Sequence, residues 1–94
     1  MFKLDFREKA LKILSQIQRD YQLKINSALD DLKLGKFSRL DIKGIGGTKY
    51  GHRLRVGRWR VLFSLFPKEK RIEVVDIFLK KGKENYDKRR HLLE

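Results

Sequence analysis

The stretch Arg53-Leu54-Arg55-Val56-Gly57-Arg58-Trp59-Arg60-Val61-Leu62-Phe63 alternates basic and apolar residues on both sides of a glycine. A period of two flanking a turn residue predicts a β-hairpin, because successive side chains of a strand point to opposite faces. A two-residue turn at Gly57-Arg58 pairs Val56 with Trp59, Arg55 with Arg60, Leu54 with Val61 and Arg53 with Leu62. If Leu54 and Val61 face a core, then Arg53, Arg55 and Arg60 gather on the opposite face, Arg55 across from Arg60. Like charges opposed on a sheet cost stability. A phosphate between them offsets that cost, since planar guanidinium forks grip phosphate oxygens in pairs. Long side chains splayed into water are the plainer alternative. On either reading Arg60 stands clear of the core, and its truncation leaves folding intact.

Working outward, Val61, Phe63 and Leu65 continue the alternation, Pro67-Lys68-Glu69-Lys70 breaks it, and Ile72, Val74 and Phe78 mark a third strand. Three such strands form an antiparallel meander. Upstream the period lengthens. Asp5-Phe6-Arg7-Glu8 has the spacing of a capping box, and Phe6, Ala10, Ile13, Leu14 and Ile17 recur at helical intervals, predicting a helix from Phe6 to Gln18. Asp20 is placed to cap a second helix carrying Tyr21, Ile25, Ala28 and Leu32, and Gly35 stands where a left-handed C-terminal cap belongs. The short link makes the pair an antiparallel helical hairpin. Phe2 to Leu4 fits a short leading strand, which nothing local decides. Lys36 to Lys49 mixes Gly44, Gly46 and Gly47 with the single apolar anchors Leu40, Ile42 and Ile45, and reads as an ordered loop. Gly46-Gly47 lacks the spacing of a phosphate loop and is read as a turn. Lys80 to Glu94 reads as a basic tail or a last short helix. The expected fold is α+β: residues 1–94 form one domain in which an N-terminal helical hairpin packs on an antiparallel β-sheet meander.

Among the 94 residues there are 24 Lys and Arg against 12 Asp and Glu, for a net charge of +12, and there is no Cys. That excludes a disulfide scaffold and a thiolate metal site; His52 and His91 are too few for a zinc centre, so no metal or cofactor is expected. The apolar run from Val61 to Phe66 is far below the roughly 20 residues of a membrane span, and the first residues lack a signal-peptide layout. A cytoplasmic protein without a membrane partner is the expectation. So strong a positive field draws polyanions and speeds their encounter, which makes nucleic acid the leading partner class ahead of an acidic protein. Lys80, Lys81 and Lys83 form a second basic cluster, delivered by the third strand. Tyr86 follows; blind to context it is a packing anchor, but beside several cations a phenol ionises more readily and becomes a candidate proton acceptor, or stacks on an RNA base. His52 points with Leu54 and reads as structural, and His91 as exposed. Asp76, inside an apolar run, either orients a neighbouring cation or hydrogen-bonds at a sheet margin, and both readings stand. The carboxylates make no catalytic constellation of their own.

Taken in order, two helices followed by Arg53-Leu54-Arg55-Val56-Gly57-Arg58-Trp59-Arg60-Val61 resemble the RelE/ParE toxin superfamily, whose hairpin typically reads R-x-R-x-G-x-[YW]-R-[VIL]. Asp41-Ile42-Lys43-Gly44-Ile45 is similar to the short segment before that hairpin, Ile77 to Tyr86 to its last strand and tyrosine-bearing end, and Leu4-Asp5-Phe6 with Ala10-Leu11-Lys12 to its opening. The resemblance implies the toxin of a type II toxin-antitoxin system, neutralised by a cognate acidic antitoxin, with the free toxin a monomer. RelE-like members cleave mRNA on the ribosome, whereas ParE-like members poison DNA gyrase without doing chemistry. Carried over, Arg53 and Arg55 match the two basic hairpin positions, Arg60 the arginine after the aromatic and Tyr86 the tail tyrosine. The basic position before that tyrosine falls on Lys80 or Lys81, where RelE usually has arginine. The implied chemistry is metal-free: the RNA 2′-OH attacks its own phosphodiester, leaving a 2′,3′-cyclic phosphate and a 5′-OH. Tyr86 is the expected base and Arg60 the clamp on the phosphorane, with Arg53 and Arg55 holding phosphate. Lys80, Lys81, Lys83, Lys49 and Arg58 are the expected RNA-binding cations.

Overall fold

The computed structural model describes residues 1–81 and 89–93. The described residues form strands β1 (Lys3–Phe6), β2 (Asp41–Gly44), β3 (Gly51–Val56), β4 (Trp59–Phe66) and β5 (Arg71–Leu79), and helices α1 (Glu8–Gln16) and α2 (Arg19–Lys33), with short 3-10 turns at Phe37–Arg39 and Arg90–Leu93. The strands make one sheet in the order β1-β5-β4-β3-β2. The pairs β2–β3, β3–β4 and β4–β5 are antiparallel, and β1 lies parallel to β5.

The β3–β4 hairpin has the expected register, with Val56 opposite Trp59, Arg55 opposite Arg60, Leu54 opposite Val61 and Arg53 opposite Leu62. Gly57 takes φ +60 at the first central position while Arg58 stays at negative φ. That is the arrangement of a type II′ turn, whose twist matches that of the strands and whose first central residue favours glycine. One interruption reshapes the next pairing: Leu62 faces Asp76 and Phe63 faces Val74, leaving Val75 as a bulge. The extra residue reverses the phase of β5. Ile72, Val74 and Ile77 therefore join the helix-facing core, while Val75 and Phe78 fall on the other face.

Both helices cover one face of the sheet. Ala10, Leu14 and Ile17 from the first and Ile25, Leu29 and Leu32 from the second bury against Leu54, Val61, Phe63, Ile72, Val74 and Ile77. Gly35 closes α2 as its position implies, in the left-handed region at φ +75. The Lys36 N–H reaches the Asp31 carbonyl at 2.9 Å and the Gly35 N–H that of Leu32 at 3.1 Å, the paired bonds of a Schellman cap.

Three local expectations need correction. Asp5 does not cap α1: it is a β1 residue opposite Glu73, and the helix starts after Arg7, which makes no side-chain cap. The Arg7 N–H instead donates to the Val74 carbonyl at 2.9 Å, so strand pairing with β5 outcompetes the local capping box. Asp20 lies in the first turn of α2, whose cap position is Gln18; its charge complements the positive helix end instead of capping it. The segment from Lys36 to Lys49 is not all loop. It contains the 3-10 turn and β2, which pairs Asp41 with Arg55 and Lys43 with Arg53.

The second face carries Leu62, Val75 and Phe78, closed over by Leu93 with Ile45 and Leu92 alongside. The last described residues are fastened there. Arg89 Nε meets Asp76 Oδ2 at 2.9 Å, its guanidinium lies 3.9 Å from the centre of the Phe78 ring, and Ser64 Oγ donates to the Leu93 carbonyl at 3.4 Å. Of the two roles open to Asp76, the structure shows both: one oxygen orients Arg89 and the other accepts the Ile77 N–H at 2.9 Å.

Candidate functional site

On that second face, between the hairpin turn and β2, the outermost strand of the described sheet, Lys43, Arg53, Arg55, Arg60 and Lys80 line a cleft of about 210 Å³. The register explains their convergence. Lys43 lies opposite Arg53 and Arg55 opposite Arg60, so three adjacent strands each present cations to one side. Lys80 follows β5 and reaches the same place because its N–H donates to the Arg58 carbonyl at 2.8 Å.

Arg60 forms the fixed part of the cleft. It is only 4% exposed, and its Nη1 donates to the carbonyls of Gly57 at 2.8 Å and Trp59 at 2.9 Å. The expectation of an Arg60 standing clear of packing is therefore corrected: the bulge at Val75 brings Phe78 opposite Arg60 on this face, and the turn carbonyls hold the guanidinium. A guanidinium held in this way loses little freedom when it binds an anion, which is what preorganised stabilisation of developing charge requires. Arg53 and Arg55 are gathered differently. Arg53 Nη2 lies 3.5 Å from Asp41 Oδ1 and Arg55 Nε 3.8 Å from Asp41 Oδ2, so one carboxylate spans both.

The remaining expected residues are placed as follows. Lys81 and Arg58 are exposed, Lys81 next along the chain from Lys80 and Arg58 in the hairpin turn. Lys49 is not brought to the cleft: it precedes β3 at the strand end away from the hairpin turn, with Nζ 5.3 Å from the centre of the Tyr50 ring. Lys83 and Tyr86 lie outside the described residues. His52 has the structural setting expected of it, stacked on Phe63 at 5.4 Å with Nδ1 2.8 Å from the Tyr50 carbonyl. Lys43 was missed as a site residue; its signal was the alternation Asp41-Ile42-Lys43, too short to mark a strand.

The architecture has close counterparts among solved structures. The isolated E. coli RelE toxin superposes with a TM-score of 0.75 over 95% of each chain at 14% identity. The chain has the RelE toxin fold. The archaeal RelE-RelB complex from Pyrococcus horikoshii OT3 matches with a TM-score of 0.74 over 87% of this chain and 98% of that one at 19% identity, and the YoeB dimer from Staphylococcus aureus with 0.63 over 87% and 98% at 13% identity. No family model and no curated protein matches the sequence. The RelE-like fold was expected as a helical hairpin on an antiparallel meander, and it is completed here by β2 and by the parallel strand β1.

Proposed function

We propose that this protein is the toxin of a type II toxin-antitoxin system and a ribosome-dependent mRNA endonuclease. The carrying observation is the cleft itself: five cations from four segments converge on one concavity, with a buried, hydrogen-bonded arginine among them. The RelE-like fold supports the same reading. In the reaction, the 2′-OH oxygen attacks the adjacent phosphorus, the 5′ oxygen leaves and takes up a proton, and the 2′-OH proton passes to a base. Negative charge concentrates on the phosphorane oxygens, where Arg60 offers a guanidinium that needs no reorganisation. Arg53, Arg55, Lys43 and Lys80 hold the flanking phosphates and turn the ribose in line. Tyr86 is the proposed base on the family resemblance alone.

RelE chains crystallised with RelB are among the similar structures, so a cognate acidic antitoxin is the proposed partner, binding a toxin that acts in the cytoplasm. The enzymatic reading is tested by adding purified protein to ribosomes translating a defined message and mapping new RNA ends. New 5′-OH ends within the message are expected. Message intact at every codon overturns it, and inhibited supercoiling by gyrase with intact message assigns the ParE-like role instead.

A further inference from the structure

Asp41 has no part in the reaction just described, yet it touches two of the residues that do. It lies opposite Arg55 in the β2–β3 ladder, two residues before Lys43, and so shares the face of the cleft. Its two oxygens are divided between the guanidinium groups, Oδ1 toward Arg53 and Oδ2 toward Arg55. Two oxygens on one centre, each meeting a different guanidinium, is also how the non-bridging oxygens of a phosphodiester meet a pair of arginines.

The hold is loose. At 3.5 and 3.8 Å both separations exceed the 2.7–2.9 Å of a tight charge-assisted hydrogen bond. The Asp41 side chain is 53% exposed and Arg55 56%, so water already competes for them, while the Arg53 side chain is more buried, at 14%. Such an exposed pair contributes little to stability. It does neutralise part of a cluster of like charges that would otherwise repel one another.

We infer that Asp41 is an internal stand-in for a substrate phosphate: it occupies the guanidinium groups of Arg53 and Arg55 in the free protein and yields them when a phosphodiester enters. The inference rests on the reading of the cleft as a phosphate site and adds a residue that competes with the substrate. Asp41 is a positioning residue, acting through the two arginines.

The test is a double-mutant cycle with a short single-stranded DNA, which lacks the 2′-OH and cannot be cleaved by this route. Asp41→Asn removes the competing charge while keeping the side-chain shape, and tightens DNA binding roughly two- to five-fold at low salt, the range set by exposed ion pairs. In an Arg53→Gln/Arg55→Gln background the same substitution changes binding by much less. Equal tightening in both backgrounds overturns the inference, because Asp41 then acts only through net charge; so does unchanged binding in the native background. If Arg53→Gln/Arg55→Gln leaves DNA affinity unaltered, it is the phosphate-site reading that fails. Melting temperatures of all four proteins separate these outcomes from loss of structure.

Discussion

The two faces of the sheet are made by alternate residues of the same strands and solve different problems. On one, Leu54, Val61, Phe63 and Val74 are buried beneath two amphipathic helices. On the other, β4 presents Arg60, Leu62 and Ser64 in turn: the first lines the basic cleft, the second lies under Leu93, and the third donates to the Leu93 carbonyl. The helix face takes its order from burial, which is non-directional and tolerant of sequence. The cleft end of the other face takes its order from hydrogen bonds and register, so its arginines are held where burial alone would not hold them. Stability and candidate chemistry are thus separated by one residue along each strand.

The separation can be broken from either side. The largest effect is expected from Phe63→Ala, which empties the centre of the helix face and costs about 3–5 kcal/mol, a large fraction of a small domain's stability. Urea unfolding checks this; a loss below 1 kcal/mol would show that the helices do not depend on that face. Next is Arg60→Ala. Cleavage on the ribosome is expected to fall some hundreds-fold, equivalent to about 3–4 kcal/mol of transition-state stabilisation. Because Arg60 is buried and bonded to two carbonyls, stability falls as well, by about 1–3 kcal/mol. Arg60→Lys keeps the charge but not the planar fork, and a protein that melts normally yet cleaves poorly isolates the chemistry from the fold. Wild-type cleavage by a folded Arg60→Lys protein would reduce Arg60 to a point charge.

Smaller effects sharpen the contrast. Asp76→Asn removes the charge that Arg89 meets at 2.9 Å and should loosen the C-terminal turn by about 1–3 kcal/mol. Hydrogen exchange at the Leu92 amide, bonded to the Arg89 carbonyl, should quicken before exchange in α1 or α2. Simultaneous quickening everywhere would mean that the two faces unfold as one. Lys43→Ala should lower the dependence of single-stranded nucleic-acid binding on salt by about one unit of slope or slightly less, with melting unchanged. Lys12→Ala, on the exposed side of α1, should alter stability by less than about 0.5 kcal/mol and leave cleavage intact. Equal losses of cleavage in the Lys12 and Arg60 variants would show a general electrostatic surface in place of a site.

What the sequence disclosed follows the range of the forces involved. The β3–β4 register was legible because a two-residue turn fixes it locally, and Gly35 announced its cap because little else is at ease at φ +75. The misreading of Asp5 has the opposite cause: the D-x-x-E pattern is local, but the strand that claims Asp5 pairs with Glu73, far along the chain. β2 escaped notice because four residues, with Ile42 alone apolar and packed against the core, carry almost no periodic signal. Lys43 was lost with it. The burial of Arg60 depends on a bulge at Val75, and nothing in the run Val74-Val75-Asp76-Ile77-Phe78 says where the alternation reverses.

The parallel pairing of β1 with β5 also fixes an order of events. A chain is made from its N-terminus, so Lys3 to Phe6 are synthesised long before Arg71 to Val74, their partners in the sheet. Until then the first strand has nothing to pair with, and closure waits on contacts between distant parts of the sequence, the slow kind. Lys80 arrives later still, because it follows β5 and depends on the Arg58 carbonyl for its place. The helical hairpin has every residue it needs early, while the cleft draws on residues from Lys43 to Lys80. In a nascent chain the cationic cleft is therefore assembled after the helical hairpin, once translation has passed Lys80.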